Sequence, residues 1–141
     1  MERKMKVKEW MTPDPKAVNE DDPVKTAVHI VVENRIRHLP VVRGDALVGI
    51  ISDRDLKRAM PSIVAGATAE EYQTFMDETP VEQAMTANPI ACAPNTDLVD
   101  LVREFCQKKV GAIPVVADGR LVGIVTQTDM MEAFLTVLES Q

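Results

Sequence analysis

The sequence predicts an α/β (α+β) fold: two tandem copies of a small strand, helix, strand, strand, helix unit packed about a pseudo-twofold axis. Three observations predict it. The chain is written twice. Within each copy the apolar spacing changes from helical to strand-like and back. A length of 141 residues, with 45% hydrophobic and 27% charged residues, suits one ordinary globular domain. Half of that length would bury too little surface to be stable alone, so the pair is the expected folding unit.

The repeat needs no gap. Val7-Lys8-Glu9-Trp10-Met11-Thr12 returns as Val81-Glu82-Gln83-Ala84-Met85-Thr86. Leu39-Pro40-Val41-Val42 returns as Ile113-Pro114-Val115-Val116. Leu47-Val48-Gly49-Ile50-Ile51-Ser52-Asp53-Arg54-Asp55 returns as Leu121-Val122-Gly123-Ile124-Val125-Thr126-Gln127-Thr128-Asp129. Met11 matches Met85, Pro40 matches Pro114 and Asp55 matches Asp129, always 74 residues apart. Two copies that bury their apolar faces on each other leave a cleft on the axis, where small ligands bind.

Each copy opens with a helical turn, at 7–11 and 81–85. In the second, Thr79, Pro80 and Glu82 are placed for a capping box. A short extended stretch follows at 15–18 and 89–92. The next helix is opened by Asp22-Pro23 in one copy and by Thr96 in the other. Its apolar positions are Val24, Ala27, Val28, Val31 and Val32, then Leu98, Leu101, Val102, Phe105 and Cys106. Both sets follow i, i+3, i+4, i+7, i+8, one face of a helix. Cys106 on that stripe reads as a small buried hydrophobe rather than a reactive thiol.

Two apolar, β-branched runs follow in each copy, 39–42 with 47–51 and 113–116 with 121–125. Arg43-Gly44-Asp45 and Ala117-Asp118-Gly119 turn them into hairpins. A last helix begins at Ser52 or Thr126. Its stripe is Leu56, Ala59, Met60 and Ile63 in one copy, and Met130, Ala133, Phe134, Val137 and Leu138 in the other. The repeats thus span 7–60 and 80–138. The linker, 61–79, carries a short helix capped at Thr68, whose Tyr72, Phe75 and Met76 pack on the body or on a second chain.

The formal charge of −6 argues against nucleic acid, which needs a clustered basic face. Cys92 and Cys106 lack metal-ligand spacing, so no metal site is expected. No apolar run approaches a membrane span. No secretory leader is visible, and a cytoplasmic location with reduced thiols is expected.

The candidate chemistry lies at Ser52-x-x-Asp55 and Thr126-x-x-Asp129, each where a strand gives way to a helix. One reading is helix capping, worth about 0.5–2 kcal/mol. The other is nucleotide binding. A helix start attracts phosphate, and an acid one turn in accepts hydrogen bonds from both ribose hydroxyls. Arg54 adds a guanidinium suited to phosphate, and its counterpart is Thr128. Arg37-His38 precedes a strand, as a solvated entry or as a phosphate contact; the counterpart is Gly111-Ala112. His29 lies off its stripe and reads as a surface residue. No nucleophile elbow, phosphate loop or dinucleotide glycine motif is present, so catalysis is not expected.

In full order the duplicated motifs resemble the cystathionine-β-synthase (CBS) domain, and two in tandem resemble a Bateman module. The resemblance spans roughly 7–138. It implies a β-α-β-β-α fold per copy and an adenosyl ligand such as AMP, ADP, ATP, NAD or S-adenosylmethionine. It implies that Asp55 and Asp129 hold ribose and that Ser52 and Thr126 sit near ribose or phosphate. The backbone of Lys16, Ala17, Leu39 and Pro40, and of Ile90, Ala91, Ile113 and Pro114, would frame adenine. Arg37 and His38 would meet phosphate; copy two departs here. It further implies a homodimer and a regulatory, non-enzymatic role exerted on a protein partner. The alternative is a structural dimerisation module that has lost its ligand.

Overall fold

The computed structural model describes residues 5–141. Its α-helices are α1 (Val24–Asn34), α2 (Asp53–Ala59), α3 (Ala69–Glu78), α4 (Leu98–Lys108) and α5 (Gln127–Glu139). Its strands are β1 (Thr12–Pro13), β2 (Val18–Asn19), β3 (His38–Arg43), β4 (Ala46–Ser52), β5 (Thr86–Ala87), β6 (Ala112–Ala117) and β7 (Arg120–Thr126). Single turns of 3-10 helix occupy Val7–Glu9 and Val81–Gln83.

The compact units do not follow the repeat boundaries. One is Lys16–Pro89, here the first unit. The other, the second unit, joins the described residues up to Pro15 to Ile90–Gln141. Each repeat therefore lends its opening segment to the unit built on the other repeat.

In the first unit the sheet runs β2-β3-β4-β5, with β2 parallel to β3 and the other pairs antiparallel. Leu39, Val41 and Ile51 are fully buried and join Val18, Val24, Ala27, Leu56 and Val81 in one core. The borrowed strand explains the glycine of Leu-Val-Gly-Ile. β5 pairs with β4 at Gly49, and a Cβ there would stand 3.0 Å from the Thr86 carbonyl oxygen and press on the Met85 side chain.

The second unit repeats this plan. Its sheet runs β1-β7-β6, and Cys92 forms a single parallel bridge to Val115 in place of β2. Gly123 lies under Met11, and a Cβ would stand 3.1 Å from the Thr12 carbonyl oxygen. Val7, Leu98, Leu101, Ile113, Val115, Val125 and Ala133 form the core.

Backbone details also repeat. Bulges fall between Val41 and Val42 and between Val115 and Val116. The hairpin turns narrow to two residues. Gly44 alone has positive φ in one, the type II′ pattern, while Asp118 and Gly119 both do in the other, the type I′ pattern.

Several expectations are corrected. Asp22 and Thr96 do not cap α1 and α4; their side chains accept hydrogen bonds from Asn19 N and Ala93 N in the preceding turns. Thr79, Pro80 and Glu82 form no capping box, because Val81 N and Glu82 N donate to the carbonyls of Asp22 and Glu20. α2 stops at Ala59, since Pro61 forces Met60 into extended backbone, and Ile63 is exposed. Cys106 is exposed, as are Val32 and Val102. The buried stripe is narrower, Val24, Ala27 and Val31 on α1 and Leu98 and Leu101 on α4, with Phe105 half-buried. Of the two placements expected for the linker helix, the body is the one found: Phe75 and Met76 pack on the first unit's core, and Tyr72 Oη lies 3.6 Å from Met60 Sδ. Besides Val32, Ile63 and Val64, the large exposed apolar side chains among the described residues lie on α4 and α5, at Val99, Val102, Met131, Phe134, Leu135 and Leu138.

Candidate functional site

The expected site residues fall into two sets, and each set lies inside one unit. Lys16, Ala17, Arg37, His38, Leu39, Pro40, Ser52, Arg54 and Asp55 belong to the first; Ile90, Ala91, Ile113, Pro114, Thr126, Thr128 and Asp129 belong to the second.

In the first unit the hairpin register sets His38 directly opposite Ser52. Asp53 N donates to the Arg37 carbonyl at 3.0 Å, so the strand entry and the helix start are held side by side. Ser52 Oγ accepts from Asp55 N at 3.0 Å, and Asp55 Oδ2 accepts from Ser52 N at 2.9 Å. The capping reading is therefore realised. It leaves the nucleotide reading intact, because Asp55 Oδ1 accepts no hydrogen bond from the described residues. Val18 lies opposite Val41, so Lys16 and Ala17, which lead into β2 outside the ladder, run alongside the start of β3.

Arg37 and Arg54 are exposed and form no ion pair among the described residues. His38 is half-buried. Burial lowers its pKa below the usual imidazole range; Asp53 and Asp55 pull it back up, and Arg37 lowers it further. Counting residues 35–38 and 52–59, five cations (Arg35, Arg37, Arg54, Lys57 and Arg58) outweigh two acids (Asp53 and Asp55).

The second unit has the same frame with other chemistry. Ala112 lies opposite Thr126. Asp129 Oδ2 accepts from Thr126 N at 2.8 Å and from the Thr126 hydroxyl at 3.2 Å, and Oδ1 is again unused among the described residues. Over residues 109–112 and 126–133 the only cation is Lys109, against Asp129 and Glu132. Cys92 N donates to the Pro114 carbonyl at 3.0 Å, bringing Ile90 and Ala91 beside β6. Burial pushes the Cys92 thiol up to about 11, so it stays protonated and unreactive at neutral pH.

Leu39, Pro40, Ile113 and Pro114 are fully buried. Among the described residues no group of His, Cys, Asp and Glu is arranged to hold a metal ion. No helix among them is long and apolar enough to cross a membrane. A buried acid that the sequence reading missed, Glu20, is clasped by Arg43 through both carboxylate oxygens; its counterpart is Pro94. Its signal was an acid beside a strand and an Arg at the facing hairpin end. The clasp ties the residue after β2 to the far end of β3 from His38.

The chain belongs to the CBS domain family, whose model matches residues 7–62 and again 81–136. It is 32% identical over 138 residues to a CBS domain-containing protein of Dictyostelium discoideum, covering 96% of this chain and 95% of that protein. The chloroplastic CBSX1 of Arabidopsis thaliana is 33% identical over 137 residues, covering 83% of this chain and 58% of that longer protein. Among solved structures, CBSX2 of Arabidopsis thaliana in complex with AMP matches with a TM-score of 0.80 at 31% identity, over 94% of this chain and 98% of that one. The CBS domain pair of protein MJ0100, in complex with 5′-methylthioadenosine and S-adenosyl-L-methionine, matches with a TM-score of 0.74 at 26% identity, over 92% and 98%.

Proposed function

We propose that this CBS pair is a regulatory module without catalysis. It binds an adenosyl ligand at its strand-to-helix junctions and passes occupancy to a protein partner. The carrying observation is the free Oδ1 of Asp55 and of Asp129, held one turn into a helix by a cap that uses only Oδ2. AMP on CBSX2, and 5′-methylthioadenosine and S-adenosyl-L-methionine on MJ0100, support the ligand class. The carboxylates serve ribose, Ser52 and Thr126 sit beside it, and the main chain at 16–17, 39–40, 90–91 and 113–114 frames adenine. In the first unit Arg37, His38 and Arg54 meet phosphate, so a phosphorylated ligand binds there. Titration calorimetry of AMP, ADP, ATP, NAD and S-adenosylmethionine against the ligand-free protein tests this. Saturable binding lost in the double variant Asp55→Ala/Asp129→Ala is expected, and no heat from any of them refutes it.

The exposed Val102, Phe134, Leu135 and Leu138 support a second element of the proposal, a homodimer formed through α4 and α5. Sedimentation at micromolar concentration is expected to show twice 15.6 kDa. Phe134→Asp/Leu138→Asp is expected to return the chain to one copy. A dimer that persists without ligand binding would favour a purely structural module.

A further inference from the structure

The segment between the repeats has no counterpart elsewhere in the chain, and it builds a surface of its own. α3 lies on α1 in the first unit, through Phe75, Met76 and a 3.1 Å ion pair between Lys25 and Asp77. Beside it lies a shallow, solvent-open groove of about 620 Å³, lined by Pro61, Thr68, Glu70, Glu71, Thr74 and Phe75. It shares no residue with either strand-to-helix junction. Phe75 and Pro61 give it apolar walls. Glu70 and Glu71 give it negative charge, and neither forms an ion pair among the described residues. Residues 61–80 hold four acids and no lysine or arginine. At the edge of the same loop Ile63 is 62% exposed and Val64 completely so.

Glu71 accepts a hydrogen bond from the Thr68 hydroxyl at 3.2 Å, and both acids sit in the first turn of α3, yet no cation pairs with either among the described residues. Apolar walls beside carboxylates without a cationic partner select a partner that is apolar and cationic together. An anionic lipid surface is repelled by the same carboxylates, and a nucleic acid more strongly. A peptide segment with basic residues around an apolar side chain satisfies both features, the apolar group lying on Phe75 and Pro61 and the cations meeting Glu70 and Glu71. We infer that the groove between the 61–68 loop and α3 docks a basic, apolar segment of a partner protein. This extends the partner-directed output proposed above. Its test is run on the nucleotide-free protein, so that its failure and that of the nucleotide reading are separable.

The probe is a fluorescein-labelled nine-residue peptide of alternating lysine and leucine, followed by anisotropy and by backbone amide shifts. Saturable binding is expected, with shifts centred on 61–75. Glu70→Lys/Glu71→Lys is expected to weaken it at least tenfold, while the control reversal Glu104→Lys/Glu139→Lys changes it less than twofold. Glu70→Gln/Glu71→Gln, which disturbs the first turn of α3 less, is expected to weaken it several-fold with an unchanged circular dichroism spectrum. Equal losses in the two reversals, shifts centred elsewhere, or no saturable binding would overturn the assignment. A change in dimer fraction on reversing Glu70 and Glu71 would hand the groove to a second copy of the chain and overturn it too.

Discussion

The two units share a backbone and differ in what surrounds it. Both place a glycine under a borrowed Met-Thr segment, bulge the first hairpin strand at the same step and cap the last helix with Ser or Thr and Asp. The first unit then adds Arg37, His38 and Arg54 at its junction and lays α3 over α1. The second has Gly111, Ala112 and Thr128 at the matched positions and leaves apolar side chains of α4 and α5 open. The lesson is that duplication kept what the fold requires at fixed spacing. Positions free of that requirement diverged into different chemistry.

The sharpest way to break this comparison is at the matched cores. Leu39→Ala and Ile113→Ala each empty a fully buried site and should each cost about 2–5 kcal/mol by urea unfolding. A loss confined to one of them would mean that the units are not energetically equivalent. Next come the glycines. Gly49→Ala and Gly123→Ala each set a methyl group against a carbonyl oxygen and a methionine, and should cost about 1–3 kcal/mol apiece. An unchanged melting temperature in either would show that the borrowed strand yields.

A third experiment sharpens the difference in chemistry. Arg54→Ala should weaken AMP roughly ten- to a hundredfold and leave adenosine nearly unchanged, while Thr128→Ala should alter neither. Equal losses for AMP and adenosine in calorimetry would remove Arg54 from the phosphate. The smallest effect concerns pH. Burial lowers the His38 pKa, so as pH falls the folded chain takes up this proton later than the unfolded chain does. The neutral imidazole therefore costs nothing above the unfolded value of about 6.5, and stability declines as pH falls from there toward the folded pKa. His38→Ala should flatten that slope in chemical denaturation between pH 7 and 5. Ala112, the matched position in the second unit, has no such group.

Much of this was legible in the chain. The offset of 74 residues fixed the repeated order of elements, and the β-branched runs and turn residues located both hairpins. Ser52-x-x-Asp55 and Thr126-x-x-Asp129 could be placed at helix starts because capping is a local interaction, settled within four residues. The strands β1 and β5 could not be read. Two residues carry no alternation, and what makes them strands is a partner roughly a hundred residues away in one case and nearly forty in the other. For the same reason nothing local explains Gly49 and Gly123, which are where another segment crosses. Pro61 is a local stop signal, and it ends α2 before Ile63.

What the sequence by itself determined is the set of elements, the two junctions and the imbalance of charge between them, since these rest on local spacing and on residue type. Only the tertiary structure decided that each repeat contributes its opening strand to the other's unit, that α3 closes on the first unit, and that Cys106 and Phe134 face outward. Those outcomes depend on which of several apolar faces finds a partner, and an apolar face in a sequence does not name what covers it.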